Sequence, residues 1–480
     1  MSEASLNPQT DEPKARPLGG TEYSWSRAVP GGTGITVLSI LLTKPLDILH
    51  LQNALRNFQI SHPILNSKLH FNPTTNSFSF LTQPTPNLQI QSFDLPSTDQ
   101  ILRDLLNPNS DSVTPFHLIL EHELNQNSWH NPDHPSYADT DVFFASLYAV
   151  SDTQWALILR LHTSVCDRTA AVALLRGLLV KLAGRREEGG TDWGLKGTEK
   201  VSLGIENLIP HGKASKPLWA RGVDMLGYSL NSFRLANLEF LDPNSPRHSQ
   251  VVRLLMNKED TQKLLDGCKL REIKLSSALA AAGLIAVYCS KKLDDHHWEK
   301  YAVVTLTDCR SILDPPLSGQ HLGFYHSAIL NTHDVNGRET LWELAKRCYM
   351  SFANAKNSNK HFTDMADVNF LMCKAIENPG LTRSSSLRTA LISVFEDPVM
   401  DKSSEMYQQL GLEDYVGCSS VHGVGPSIAM FDTIRDGQLD CACVYPSPLH
   451  SREQMQDLID HMKKILIDAC NQVENGGNES

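Results

Sequence analysis

The sequence predicts an α/β (or α+β) protein in two lobes, and three observations carry this. Apolar strands rich in β-branched residues alternate with amphipathic helices along the chain, which is how mixed sheets covered by helices read. A Gly- and charge-rich stretch, "GRREEGGTDWGLKGTEK" at residues 184–200, interrupts that alternation. The 480 residues exceed what one ordinary core holds. The expected division is a mobile tail at 1–20, a first lobe at 21–190, a linker at 191–215, a second lobe at 216–470 and a tail at 471–480.

Each element follows from local pattern. Residues 35–42, "ITVLSILL", read as a strand. Leu46, Leu49, Leu51, Ala54, Leu55 and Phe58 then fall near helical spacing, and "SHPIL" ends that helix because a residue before proline avoids the α region. "SFSFLTQ" is a strand. Residues 83–135 are rich in Pro, Asn, Asp and Ser, so loops are expected, with one helix near 98–106 and a strand near 115–122. "FFASLYAV" and "WALILRLH" form a hairpin turning at "SDTQ". A helix runs from about Asp167 to Leu182, with Ala170, Leu174, Leu175, Leu178 and Leu182 apolar and Asp167 as N-cap.

In the second half, residues 257–293 hold two helices with capped starts. "YAVVTLTDCRSIL" is a strand running into a loop, "NGRETLWELAKRCYMSFANAK" a helix, and "RTALISVFED" a strand. "PSIAMFDTIRDGQLDCACVYP" is a hairpin turning at "RDG". The closing helix starts at a capping box of Ser451 and Gln454 and buries Met455, Leu458, Ile459, Met462 and Ile465.

Composition narrows the function classes. A net charge of −11, with acids flanking each short basic run, argues against nucleic acid as partner. No apolar stretch reaches membrane-spanning length, and the N-terminus lacks the apolar core of a secretory signal. The 10 cysteines form no CxxC pair and most sit in apolar segments, so buried free thiols in a cytoplasmic, reducing setting are expected and no metal site. Cys441 and Cys443 share one strand face and read as core. There is no GxSxG elbow and no GxxxxGK[ST] loop, which removes the usual hydrolase and nucleotide-phosphate readings.

The informative stretch is "ILRLHTSVCDRTAAVALLRGLL", residues 158–179. An apolar strand ends at His162, an acid follows at Asp167, and a helix starts at once. An imidazole held at a strand end suits general-base work, since its pKa lies near neutrality. The plainer alternative is a histidine that is only a satisfied polar group.

Four stretches resemble the condensation-domain and chloramphenicol-acetyltransferase-like acyltransferases. They are "PLDILHLQNALRNFQISHPILNSKL", "RLHTSVCDRTAAVALLRGLL", "TLTDCRSILDPPLSGQHLGFYHSAIL" and "VYPSPLHSREQMQDLIDHMKKIL", in the right order over roughly residues 35–470. The group is similar to plant BAHD enzymes, fungal alcohol acetyltransferases and mycobacterial polyketide-associated acyltransferases. The resemblance implies two similar lobes, each a mixed sheet with flanking helices, and a tunnel between them. It also implies acyl transfer from a thioester, with acyl-coenzyme A as co-substrate and no bound cofactor, to a small-molecule hydroxyl or amine. A carrier protein is the alternative donor.

The motif departs from the family's HHxxxDG. Its first histidine matches His162, its second, the base in relatives, falls on Thr163, and its glycine on Arg168. Threonine cannot serve as a base near pH 7. In one reading a local bulge turns His162 into the tunnel as the catalytic base, with Thr163 donating a hydrogen bond to substrate or oxyanion. In the other the base is lost, and the protein is an inactive condensation-domain-like chain that binds a ligand or partner. A base from elsewhere, His321, His326 or His422, is a third option, and His326 and His422 are also candidate substrate contacts. Arg168 narrows the tunnel or attracts an anionic donor. "TDCR" places Arg310 where relatives carry the arginine that pairs with the loop aspartate, so an ion pair of Asp167 with Arg310 is expected. The BAHD segment DFGWG is absent; "SSVHGVGPS", residues 419–427, stands in its region. The acyl chain, the acceptor and the oligomeric state stay open.

Overall fold

In the computed structural model, residues 14–105, 113–130, 139–183, 201–217, 219–223, 235–291, 293, 297–378 and 388–476 are described. The expected β-branched runs form strands and the amphipathic runs form helices, sorted into two α/β lobes. The first lobe is built on a five-stranded sheet in the order Leu412–Val421, Thr33–Leu42, Gln154–His162, Phe143–Ser151 and Ile90–Phe93. A four-stranded sheet stands beside it, in the order Lys14–Pro17, Ser77–Thr82, Ser67–Asn72 and Thr140–Asp141. The second lobe carries a seven-stranded sheet, in the order His326–Val335, Glu299–Asp308, Ile392–Phe395, Ile428–Arg435, Gln438–Ser447 and His248–Met256, with Val399–Asp401 pairing onto Ile428–Arg435.

The four-stranded sheet is antiparallel, and the five- and seven-stranded sheets are mixed. The hairpin strands pair antiparallel, whereas Ile392–Phe395 runs parallel to both its neighbours. Helices Lys258–Leu270, Leu275–Ser290, Leu341–Asn357 and Arg452–Gly476 share the second lobe's main core. The hairpin at Asp436–Gly437 turns with φ of 49° and 81°, a left-handed pair that suits a tight two-residue turn. No single helix among the described residues is long and apolar enough to cross a membrane.

Several expectations change. Residues 14–17 are an edge strand on Ser77–Thr82, and the first helix, Gly20–Ala28, follows directly, so part of the expected tail is regular structure. Residues 1–13 lie outside the described residues, as do 191–200 of the linker. The rest of the linker is packed: Ile205 and Leu208 join Cys309, Leu313, Tyr325, Phe362 and Met365 in a small core. At the other end, the closing helix runs through 471–476.

The segment expected as a strand near 115–122 is a helix, Pro115–Asn125. Pro115 occupies its first turn, where a missing N–H costs nothing. The Thr114 hydroxyl accepts from the His117 N–H at 3.3 Å. Leu275–Ser290 lacks the expected side-chain cap. Its burial from Leu275 to Tyr288 holds it instead. Finally, Leu412–Val421, from the second half of the sequence, hydrogen-bonds antiparallel to Thr33–Leu42 in the first lobe's sheet.

Candidate active site

The strand Gln154–His162 sets the geometry. It pairs with Thr33–Leu42 in unbroken register from Trp155↔Leu42 to His162↔Ile35. Side chains on a strand alternate faces. Ala156 and Ile158 belong to a core shared with Val29, Ile35, Trp129 and the helix Pro115–Asn125, whereas Leu157, Leu159 and Leu161 face the core under the helix Arg168–Leu182. His162 has the parity of Ala156 and Ile158. Its ring stands edge-on to Trp129, 5.2 Å between centroids, and is 0% exposed. No bulge intervenes to turn it round.

This corrects the expectation for His162. The imidazole is sealed on the sheet face covered by Pro115–Asn125 and does not line the cavity between the lobes. Its Nδ1 lies 2.7 Å from the Ser164 Oγ and accepts from the Ser164 N–H at 3.2 Å, while Nε2 is buried with no hydrogen-bond partner among the described residues. Burial pulls its pKa down to about 3, so the ring is neutral at pH 7 and a poor proton acceptor.

Thr163 faces the other way, into a cavity between the lobes that opens to solvent. The walls are largely apolar and aromatic: Trp25 and Leu38 from the first lobe, Phe324, Phe395 and Phe431 from the second. The Thr163 hydroxyl is already engaged. It donates to the Gly34 carbonyl at 2.6 Å and lies 2.8 Å from the Thr36 hydroxyl. The expected donation to substrate or oxyanion therefore has no free proton in this geometry. Gly34 sits at φ +97°, and a Cβ there would meet the Trp25 ring at 2.9 Å, so glycine lets the loop and the ring close on Thr163.

Asp167 ties the loop to the second lobe. Arg310 Nη2 lies 3.0 Å from its Oδ1 and 2.9 Å from its Oδ2, with both side chains at most 2% exposed. The same carboxylate accepts from the Ala170 N–H at 2.8 Å, capping the helix, and from the Tyr325 N–H at 2.7 Å. Burial alone would raise its pKa, but Arg310, then His326 and the Ala170 N–H, hold it well below the usual carboxylate range. Arg310 also donates to the His321 carbonyl at 3.0 Å and to Asp308 Oδ1 at 3.0 Å.

Arg168, where the family motif has glycine, reaches across to Asp432, with Nη1 3.1 Å from Oδ1, and also donates to the Asp432 and Asp397 carbonyls. Its guanidinium lies 4.4 Å from the centre of the Phe395 ring. Asp432 is fully buried, and burial pushes its carboxyl up despite Arg168. Arg168 lines the cavity, but its charge is matched by Asp432, which leaves it ill-suited to attract an anionic donor.

Of the remaining histidines, His326 lines the cavity and His422 does not. His422 packs over Gly32 with Nδ1 3.0 Å from the Ser249 Oγ, and burial, then His248 and Arg388, pull its pKa to about 4; as a substrate contact it is a correction. His321 lies 2.5 Å from the Ser202 Oγ, outside the cavity wall. His326 opens the strand His326–Val335. Its Nδ1 is 3.1 Å from Asp167 Oδ2, off the line of a straight hydrogen bond, and Phe395 meets the ring edge-on at 5.8 Å.

Sequence reasoning missed much of the wall. Asp401 lies there, accepting from both the Tyr407 and Tyr415 hydroxyls, and so do Ser419 and Ser420 of "SSVHGVGPS". Nothing local marks these residues, which come from separate segments. Asp432 did leave a signal: an acid inside "IAMFDTIR", a strand otherwise rich in apolar residues, calls for a buried cation.

No family model matches the chain, and no curated protein matches it. Solved structures do. It is similar to polyketide synthase associated protein 5 from Mycobacterium tuberculosis, with TM-score 0.65 and 16% identity over 95% of this chain and 98% of that one. It is similar to the TRI3 trichothecene 15-O-acetyltransferase from Fusarium sporotrichioides, with TM-score 0.66 and 11% identity over 97% and 100%. It is also similar to the EpoB NRPS cyclization-docking bidomain from Sorangium cellulosum, with TM-score 0.65 and 14% identity over 98% and 87%. At these identities the likeness is one of fold.

Proposed function

We propose that this chain, which has the two-lobed fold of condensation domains and chloramphenicol-acetyltransferase-like proteins, is an acyltransferase. It moves an acyl group from a thioester, acyl-coenzyme A, to the hydroxyl or amine of an apolar acceptor in the inter-lobe cavity. The observation that carries this reading is the cavity itself, an apolar space beside the Thr163–Arg168 loop with one imidazole in its wall. Its buried charges are already matched, Asp167 by Arg310 and Arg168 by Asp432, and Asp401 accepts from two tyrosines. An uncharged, largely apolar ligand therefore suits it better than an ion.

A second reading is favoured by one observation: the motif histidine His162 is turned away and Thr163 holds the family's base position. The protein then binds an acyl ligand or partner without turnover. Incubation with acetyl-, hexanoyl- and dodecanoyl-coenzyme A, following thiol release with and without 1-octanol or octylamine, separates the two. Acceptor-dependent thiol release supports acyl transfer. Saturable binding of an acyl-coenzyme A by calorimetry, with no thiol released, supports the second.

A further inference from the structure

We infer that His326, held by Asp167, is the general base of the transfer reaction, and that the second lobe supplies the imidazole which the motif position lacks. The inference rests on the acyl-transfer reading and deepens it. His326 is the only imidazole among the described residues that line the cavity. The other titratable side chains there are poorly suited. Burial pushes the Cys166 thiol up, away from its thiolate. Asp167 is committed to Arg310, and Asp401 to Tyr407 and Tyr415.

The placement is that of an oriented base. Asp167 Oδ2, 3.1 Å from Nδ1, favours the tautomer with the proton on Nδ1, and a modest rotation of the ring about its soft χ2 straightens that hydrogen bond. Nε2 is then the nitrogen left to accept a proton. The buried carboxylate stabilises the imidazolium that forms on proton transfer. Arg310, on the far side of the carboxylate, fixes its orientation but also shares its charge. The aromatic rings of Phe324 and Phe395 flank the imidazole and limit water around it.

The step balances. His326 Nε2 takes the proton from the acceptor hydroxyl or amine as its oxygen or nitrogen attacks the thioester carbonyl carbon, giving a tetrahedral oxyanion. The carbonyl re-forms as the C–S bond breaks, and the leaving thiolate takes the proton back from Nε2. The products are ester or amide and free thiol, with no redox change.

The test measures kcat and KM for thiol release with acetyl-, hexanoyl- or dodecanoyl-coenzyme A and 1-octanol or octylamine, in wild type, His326→Ala, His326→Gln and His162→Phe. Melting temperature reports the fold of each variant. The expected result is a kcat lower by about 10²- to 10⁴-fold in both His326 variants, the usual contribution of a general base. Added imidazole restores part of the His326→Ala loss, and His162→Phe keeps wild-type kcat. Three outcomes overturn the assignment. His326→Ala with wild-type kcat removes the base and leaves acyl transfer standing. A loss confined to KM, or one that imidazole does not restore, makes His326 a binding or packing residue. A wild-type protein that releases no thiol with any donor or acceptor removes both readings together.

Discussion

Asp167→Ala breaks the joint between the lobes. The side chains of Asp167 and Arg310 are 1% and 2% exposed, so the substitution strands a guanidinium with little water to replace its partner. Asp308, itself 36% exposed, compensates only in part. Removing one member of a buried pair costs about 3–5 kcal/mol, and the lost helix cap, about 1 kcal/mol, falls within that range. Unfolding entropy of roughly 2.1 cal/mol/K per residue gives about 1 kcal/mol/K for all 480 residues, and about half that if one lobe melts alone. A loss of 4 kcal/mol therefore lowers the melting temperature by about 4–8 °C. Scanning calorimetry at pH 7 measures it. Arg310→Met combined with Asp167→Ala should cost less than the two single changes summed, because no charge is left stranded. An Asp167→Ala protein that melts with wild type refutes the clasp as a source of stability. The pH dependence has a fixed sign. The folded pKa of Asp167 is depressed, so its stabilisation is complete above the unfolded value near 4 and is lost as pH falls below it.

His162 acts in the same direction but at higher pH. Its pKa falls from 6.5 unfolded to about 3 folded, so the unfolded chain binds the proton first and stability declines as pH drops from 6.5, by about 2 kcal/mol at pH 5. His162→Phe should flatten the loss of melting temperature between pH 7 and 5 by that amount. A slope unchanged from wild type would mean the ring is not buried neutral. Arg168→Ala leaves the Asp432 carboxylate unpaired and should cost about 3–5 kcal/mol in chemical denaturation, with Asp432→Asn recovering much of it. Equal stability of Arg168→Ala and wild type would remove this second inter-lobe pair. Leu175, on the cavity wall, gives a size test. Leu175→Trp should weaken dodecanoyl-coenzyme A binding, measured by calorimetry, far more than acetyl-coenzyme A binding, and equal effects would place the acyl chain elsewhere.

Much of the fold was legible because it is local. The Phe143–Ser151 and Gln154–His162 hairpin, the turn at Asp436–Gly437, the Asp167 cap and the buried stripe of the closing helix follow from period-2 and period-3.6 patterns and turn chemistry. The helix Pro115–Asn125 was misread, and the consequence reached the site. That helix helps cover the sheet face on which His162 lies, so taking it for a strand left His162 without its wall.

By itself the sequence determined the α/β elements, the strand that ends at His162, and the Asp167 cap that starts the helix after it, since backbone propensity and side-chain period act over a few residues. Strand alternation favoured opposite faces for His162 and Thr163, but only the unbroken pairing of Gln154–His162 with Thr33–Leu42 excluded the bulge that would turn His162 round. Only the tertiary structure decided which face is the cavity, because that depends on what the second lobe packs against. Long-range packing likewise brought Leu412–Val421 into the first sheet, matched Arg168 with Asp432, and set His326 beside Asp167.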